Sequence, residues 1–500
     1  MAEFVCAIDI GTSTTRAALV DRRARIADVV ATPIRLHSPA PGVAEQDPED
    51  WWSTTVSNVR GLLERHPEAC IAAVAVGGQM HGVVPVDGSG NSLVRRVAIW
   101  SDKQAAPIAA SVASLPDAAE LAAAAGNRPV PAWAGFKIAW FRDHAPDVYA
   151  RAETFLVAKD FVNQRLTGCA ATDPTEASGS FLMDSASDRW SPELVRALRV
   201  DREKLPEIVP SAAVVGGITR SAAAATGLRE GTPVACGAGD MLCQLLAAGV
   251  TRPGRVCEVS GTAGIIAAYA ATPSSDRRVM NLRTAGSGWV RFGIEDAGGA
   301  CLSWYAERFC ADLTARAHES GRSRYELVTE EAATVPVGSR GLRFFPYLLG
   351  ERTLGVPESR GAFIGLSMSH GRPELGRALI EGLCFEIRRA LDLIIPASEI
   401  EHIRVTGGGA GSALWNQIRA DVYGHQVVTL TSIEGGIVGA GLLGATAAGW
   451  FGDAAEASEA CAEMGNRWTP DPERLREYDA AYRTFCRTHD ALELLWHGWC

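Results

Sequence analysis

Asp9, Gly11, Thr12, Ser13 and Thr14 interrupt an apolar run that begins at Phe4 and resumes after Arg16. Glycine lets a backbone approach an anion closely and aim its N–H groups inward, and the hydroxyls of Thr12, Ser13 and Thr14 add donors. A carboxylate beside them repels phosphate unless a divalent cation lies between, and Mg²⁺ takes a few carboxylate oxygens together with water and phosphate. The turn is therefore suited to a metal–polyphosphate, with Asp9 toward the metal. Two more turns share this logic: Ser260-Gly261-Thr262-Ala263, and Gly407-Gly408-Gly409-Ala410 after Val405-Thr406. Each alone reads first as an ordinary turn, but three of them after apolar runs are much less expected by chance. Asp240 closes Gly237-Ala238-Gly239 ahead of an apolar helix. As a helix N-cap it would contribute about 1 kcal/mol and need no further purpose.

The elements that must position these residues alternate between strand-like and helix-like segments, as in an α/β fold. FVCAIDI, TTRAALVD and IADVVATPIRL read as strands, PEDWWSTTVSNVRGLLERH as an amphipathic helix with Pro48 at its start, and IAAVAVGGQ as a buried strand. LPDAAELAAAAG reads as a helix capped by Gly126. GRVCEVSGTAGIIAAYA repeats the opening layout of apolar strand, small-residue turn and apolar strand, which implies a distant internal duplication. The expected division is a first domain over residues 1–246, a second over 247–452 joined through Thr251–Gly254, and an acidic helical tail over 453–500. Gly439-Ala440-Gly441-Leu442-Leu443-Gly444 matches G-x-G-x-x-G after a strand-like QVVTLT, but an acidic tail helix follows where a dinucleotide site needs another strand. Close helix packing is the better reading.

With 500 residues, 47% hydrophobic and 21% charged, the chain has ample material for large cores. Its net charge of −10 argues against a broad basic face for nucleic acid. Twelve scattered cysteines without C-x-x-C pairs read as reduced, mostly buried thiols. The N-terminus lacks a basic n-region, and no apolar run approaches the roughly 20 residues of a membrane span. A soluble cytoplasmic protein without membrane partners is the expectation.

The three turns together resemble those of the sugar kinase, heat-shock protein and actin superfamily. Within it, the chain resembles the FGGY carbohydrate kinases over nearly its whole length, most closely the xylulokinases. GGQMHG (Gly77–Gly82) is similar to their sugar loop, and VAKDFVNQRLTG (Val157–Gly168) and TDPTEASGSFLMD (Thr172–Asp184) to their middle segments. CGAGDMLCQLLAAGV (Cys236–Val250) is similar to the segment that carries the catalytic Asp. FFPYLLGERT (Phe344–Thr353) and RGAFIGLSMSHGRPELGRALIEGL (Arg360–Leu383) are similar to the carboxyl-terminal signatures. The resemblance implies an α/β fold of two ribonuclease-H-like domains around a nucleotide cleft. It implies ATP held by Gly11, Thr12, Ser13, Thr14, Gly261, Thr262, Gly298, Gly408, Gly409 and Ala410, with Mg²⁺ at Asp9.

By the same resemblance Met80, His81 and Gly82 contact the sugar, and Asp240 is the general base that accepts the proton of its terminal hydroxyl. His81 as a plain polar loop residue remains the other reading. Gln104 stands where many relatives have Arg in W-x-D-x-R, and Ala134 where Pro, Ser or Thr is usual. The roles of Asp102, Lys103, Gln104 and Lys137 stay open, and Trp304 reads as core. The implied reaction is ATP-dependent phosphorylation of D-xylulose to the 5-phosphate. Another pentulose, a polyol or a sugar acid is the alternative substrate, and a nucleotide-gated binding module of the heat-shock type the alternative class. A homodimer is implied by the family's habit alone.

Overall fold

The computed structural model describes residues 3–351, 356, 358–431 and 434–497. The opening run forms β1 (Glu3–Ile10), turns at Gly11, and returns as β2 (Thr14–Val20), which pairs in turn with β3 (Ile26–Pro33). Helix α1 (Pro48–Arg65) begins on Asp47, whose carboxylate accepts the Glu49 N–H; Pro48 takes the first position, where a missing N–H costs nothing. Its Trp51, Val59 and Leu62 are buried against the first sheet. Strand β4 (Cys70–Gly78) runs parallel to β1. The first half is completed by α2 (Ala134–His144), α3 (Ala158–Thr167), α4 (Pro174–Ser178), β5 (Val214–Gly217), β6 (Pro233–Gly239) and α5 (Asp240–Ala247). Its sheet has the order β5-β6-β4-β1-β2-β3.

The second half opens with β7 (Arg255–Ser260) and β8 (Gly264–Ala270), followed by β9 (Met280–Arg283) and β10 (Trp289–Glu295). Helices α6 (Gly298–Phe309), α7 (Arg324–Ala333) and α8 (Arg372–Ile394) precede β11 (His402–Thr406), α9 (Ala413–Tyr423), β12 (Val427–Leu430) and α10 (Gly435–Ala447). The chain ends with β13 (Met464–Trp468) and α11 (Pro472–Trp496). The second sheet has the order β9-β10-β8-β7-β11-β12-β13. In each half an antiparallel hairpin (β1–β2, β7–β8) is flanked by two parallel strands (β4 and β6, β11 and β12), so the two halves share one topology.

Two features depart from the expected division. Residues 453–500 are not helical throughout: β13 adds an edge strand to the second sheet, antiparallel to β12. Helix α11 then buries Tyr478, Phe485 and Trp496 in the second core. In addition, α10 lies against β1, β4 and β6 of the first sheet. There its glycines serve close contact. A Cβ at Gly439 would meet the Cys243 carbonyl at 1.9 Å, one at Gly441 Val20 at 2.8 Å, and one at Gly444 Val5 at 2.4 Å. The G-x-G-x-x-G run is thus a packing face, as its context indicates.

Among the described residues no single helix is long and apolar enough to cross a membrane, and the eleven described cysteines are all free. Arg352 and Thr353, at the end of the first carboxyl-terminal signature, lie outside the described residues.

Candidate active site

Strand β1 carries Asp9 to the end of the first sheet, directly across from Arg16 on β2. The turn between them is tight: the Gly11 N–H donates to the Thr14 carbonyl at 3.0 Å, and a Cβ at Gly11 would sit 2.9 Å from that oxygen. Asp9 Oδ1 is buried without a hydrogen-bond partner. Burial raises the Asp9 carboxyl to about pH 6, with Arg16 pulling it down and Glu434 pushing it up. Arg16 itself bonds Glu434, which stands just before α10.

Asp240 is the first residue of α5, with Gly239 at the cap position and no side-chain capping bond made there. Its Oδ1 accepts the Met241 N–H at 2.7 Å. Burial, then the nearby Asp9, raises it to about pH 7. The start of α5 is fixed from behind. The Gly239 N–H donates to Thr175 Oγ1 at 2.9 Å, and that hydroxyl donates to Asp173 at 3.0 Å. Asp173 in turn pairs with the fully buried Lys159 at 3.1 Å.

Asp9, Gly11, Arg16 and Asp240 line one cavity of about 310 Å³ together with Ile265 of β8 and Gly435 and Gly436 of α10. This is a cleft between the halves. Two half-buried carboxyls facing one cavity, one with a buried, orphaned oxygen, are the donor set a divalent cation satisfies. The residues present therefore fit Mg²⁺.

The second and third turns meet behind a larger cavity of about 780 Å³. Ser260, Gly261, Thr262, Gly299, Gly408 and Gly409 line it, together with Tyr325 of α7 and Trp415 of α9. Gly407 has φ +88°, and a Cβ there would strike the Ser260 carbonyl at 2.6 Å. Of the expected nucleotide contacts, Gly298 and Ala410 stand off from this wall. A Cβ at Gly298 would meet the Gly264 N–H at 2.5 Å, underneath the second turn, and Gly299 reaches the surface in its place. Ala410 packs on the second core and accepts the Asn416 side-chain amide at 2.7 Å. Thr12, Ser13 and Thr14 lie outside both linings. Thr12 Oγ1 accepts the Trp100 indole N–H at 3.0 Å, and the Ser13 carbonyl accepts the Ile34 N–H at 2.9 Å. Trp304 packs edge-on against Phe309.

The GGQMHG loop leaves β4 beside the first turn, with the Gln79 N–H on the Ile10 carbonyl at 2.7 Å. Met80 is buried and blocks any side chain at Gly239, where a Cβ would be 2.6 Å from its sulfur, so the loop touches the residue before Asp240. His81 adopts φ +70°, a strained left-handed conformation for a non-glycine residue. Its ring meets Trp133 edge-on at 5.0 Å, and its Nδ1 is buried without a partner. Burial and the nearby Lys137 charge lower it to about pH 3, so it is a neutral imidazole under ordinary conditions. Gly82 is buried behind the loop.

Asp102 is buried and accepts the Ala44 and Gln104 backbone N–H groups, both at 2.8 Å, and the Gln104 side-chain amide at 3.0 Å. Gln104 is therefore a local brace. Lys137 is buried, donates to the Pro131 and Ala132 carbonyls, and is lowered to about pH 7 by burial. Gln46, Glu434 and Arg419 could not be found in the sequence because each bonds a partner far along the chain, and Asp173 carries only the local pattern of a helix cap before Pro174.

Two α/β halves of one topology, the first carrying one small-residue turn after its first strand and the second carrying two such turns against one cavity, define a two-domain sugar-kinase fold. Models of the FGGY family of carbohydrate kinases match the N-terminal domain over residues 4–247 and the C-terminal domain over residues 256–448. The chain belongs to the FGGY family of carbohydrate kinases. It is 28% identical over 491 residues to the xylulose kinase of Bacillus subtilis, covering 96% of this chain and 95% of that one. It is 26% identical over 498 residues to the gluconokinase of the same organism, covering 99% and 97%. The crystal structure of xylulose kinase from Rhodospirillum rubrum superposes with a TM-score of 0.90 at 32% identity, covering 99% of each chain.

Proposed function

We propose that this carbohydrate kinase transfers the γ-phosphoryl group of ATP to the terminal hydroxyl of D-xylulose, giving D-xylulose 5-phosphate in the cytoplasm. The observation that carries the reading is the half-buried Asp9–Asp240 pair lining the cavity between the halves, each carboxyl pushed up from its ordinary value. The glycine backbones of the second and third turns hold the nucleotide, and Gly11, which has no side chain, lets its phosphates approach the cavity that Asp9 and Asp240 line. Asp9 would hold Mg²⁺, which when bound would supply neutralisation of the phosphate charge. Asp240 accepts the proton of the attacking hydroxyl; in a loose transition state this transfer comes late, so a carboxylate suffices. His81, neutral and with an unpaired ring nitrogen, hydrogen-bonds a sugar hydroxyl, while Met80 forms the apolar wall beside it. Closure of the two halves excludes water as a rival acceptor.

The gluconokinase similarity supports a sugar acid as the second reading. A coupled ADP-release assay over D-xylulose, other pentuloses, polyols and D-gluconate, with Mg²⁺ and ATP, decides between them. D-Xylulose is expected to give the highest kcat/KM. A higher kcat/KM with D-gluconate would transfer the assignment to the second reading. ADP release that no sugar stimulates would overturn both and favour a nucleotide-gated binding module.

A further inference from the structure

Arg419 of α9 is fully buried, and its guanidinium is shared among four partners, three of them outside its own helix. Nε donates to Glu258 Oε1 at 2.8 Å, and Nη2 donates to Ser260 Oγ at 2.7 Å. Nη1 donates to the Gly409 carbonyl at 3.1 Å and to Asn416 Oδ1 at 2.8 Å. The guanidinium lies 4.5 Å from the Trp415 ring centroid, and Trp415 is also one of the residues lining the 780 Å³ cavity. Glu258 is held in turn by the Tyr423 hydroxyl at 2.8 Å. The second turn begins at Ser260 and the third passes through Gly409, so this one side chain fixes the spacing between the two. The contact is close: a Cβ on Gly409 would lie 2.2 Å from Ser260 Oγ and 3.2 Å from Arg419 Nη2.

We infer that Arg419 is a positioning residue for the nucleotide: it locks the second and third turns at the separation needed to bind the two ends of ATP, without touching ATP itself. The inference rests on the nucleotide reading above. A guanidinium suits this task because its planar fork presents five donors in fixed directions, whereas an ammonium is a single point charge on a flexible stem. Lysine at this position keeps the charge opposite Glu258 but cannot reach Ser260, Gly409 and Asn416 together. Displacing one turn by a fraction of an ångström misaligns bound phosphates, an error to which binding and transfer are sensitive.

The test is ADP binding by titration calorimetry on the full-length protein, together with KM for ATP and for the sugar. For Arg419→Lys we expect the ADP Kd and the ATP KM to rise about tenfold or more, with the sugar KM at saturating ATP unchanged. Ser260→Ala should weaken ADP binding in the wild type and have little further effect on Arg419→Lys. The double variant Glu258→Gln/Arg419→Gln, which leaves no unpaired buried charge, should reproduce the loss in nucleotide affinity while keeping the sugar KM. An unchanged ADP Kd in Arg419→Lys or in the double variant would overturn the inference, as would nucleotide and sugar constants that rise together. Failure of the wild type to bind ADP at all would instead overturn the nucleotide reading on which it depends.

Discussion

The two halves of the molecule carry the same hairpin and differ in what stands on it. In the first, Asp9 faces Arg16 across the strands; at the same rung of the second, Val259 faces Ile265. Their parallel neighbours match as well: Asp9 pairs with Gly77 of β4, and Val259 with Thr406 of β11. By this register the loop Gly78–Gly82 is the counterpart of Gly407–Gly411. One carries Gln79, Met80 and His81, whereas the other is nearly bare backbone. The first half carries ionisable and polar side chains at the positions that the proposed reaction assigns to a metal and a hydroxyl acceptor. The second carries small residues at the same positions, which suits the proposed approach of backbone to a nucleotide. The bracing differs too. In the first half neutral amides tie the loops: Gln79 Nε2 donates to Gln46 Oε1 at 2.6 Å, and Gln46 donates onward to the Thr12 carbonyl. In the second half the brace is the charged Arg419–Glu258 pair.

The largest effect on this comparison comes from making the first half resemble the second. Asp9→Asn leaves the turn intact but removes the cation's carboxylate. Turnover at low millimolar Mg²⁺ should fall by about 100-fold or more, and raising Mg²⁺ should recover part of it. Chelating the metal should abolish turnover in the wild type. A Mg²⁺ titration of initial rates reads both results, and a variant with wild-type Mg²⁺ dependence would deny Asp9 its role.

Next in size is His81→Ala, which should raise the sugar KM about tenfold, equivalent to one lost hydrogen bond of about 1.4 kcal/mol, and leave the ATP KM in place. Because His81 stays neutral above about pH 3, its contribution should be flat between pH 5 and 8. A sugar KM that changed through pH 6.5 in parallel with imidazole titration would contradict this.

The smallest readout is in stability. Asp240 has a folded value near 7 against an ordinary 3.8, so the folded state holds its proton more tightly than the unfolded one. Its contribution is fully favourable at low pH and is lost as pH rises from about 4 through 7. Asp240→Asn removes that loss. Without metal it should therefore melt higher than the wild type at pH 8, by up to about 4 kcal/mol or roughly 4 °C, and converge with it near pH 4. Thermal melts at the two pH values check the sign.

Much of this architecture was legible in the chain because it is local. Strands β1, β2 and β4 announce themselves by apolar runs bounded by glycine, α1 by Asp47 and Pro48, and the duplication by the repeated strand, small-residue turn and strand. Asp240 was legible through family resemblance, since its immediate surroundings fit a helix cap equally well. Strand β13 was not, because Met-Gly-Asn-Arg-Trp has neither alternation nor β-branched residues and exists only by pairing with β12. The docking of α10 on the first sheet was hidden because its glycines are uniform in sequence and acquire meaning only against Cys243, Val20 and Val5. Arg419 was hidden because Glu258 lies 161 residues away.

The central claim is that Asp240 readies a carbohydrate hydroxyl for a phosphoryl group held between the two halves. The most direct measurement is single-turnover phosphoryl transfer by Asp240→Asn with saturating sugar and Mg²⁺–ATP, alongside its ATP Kd. We expect an ATP Kd within about threefold of the wild type and transfer slower by about 1,000-fold. Transfer within about tenfold of the wild-type rate, with ATP bound normally, would contradict it.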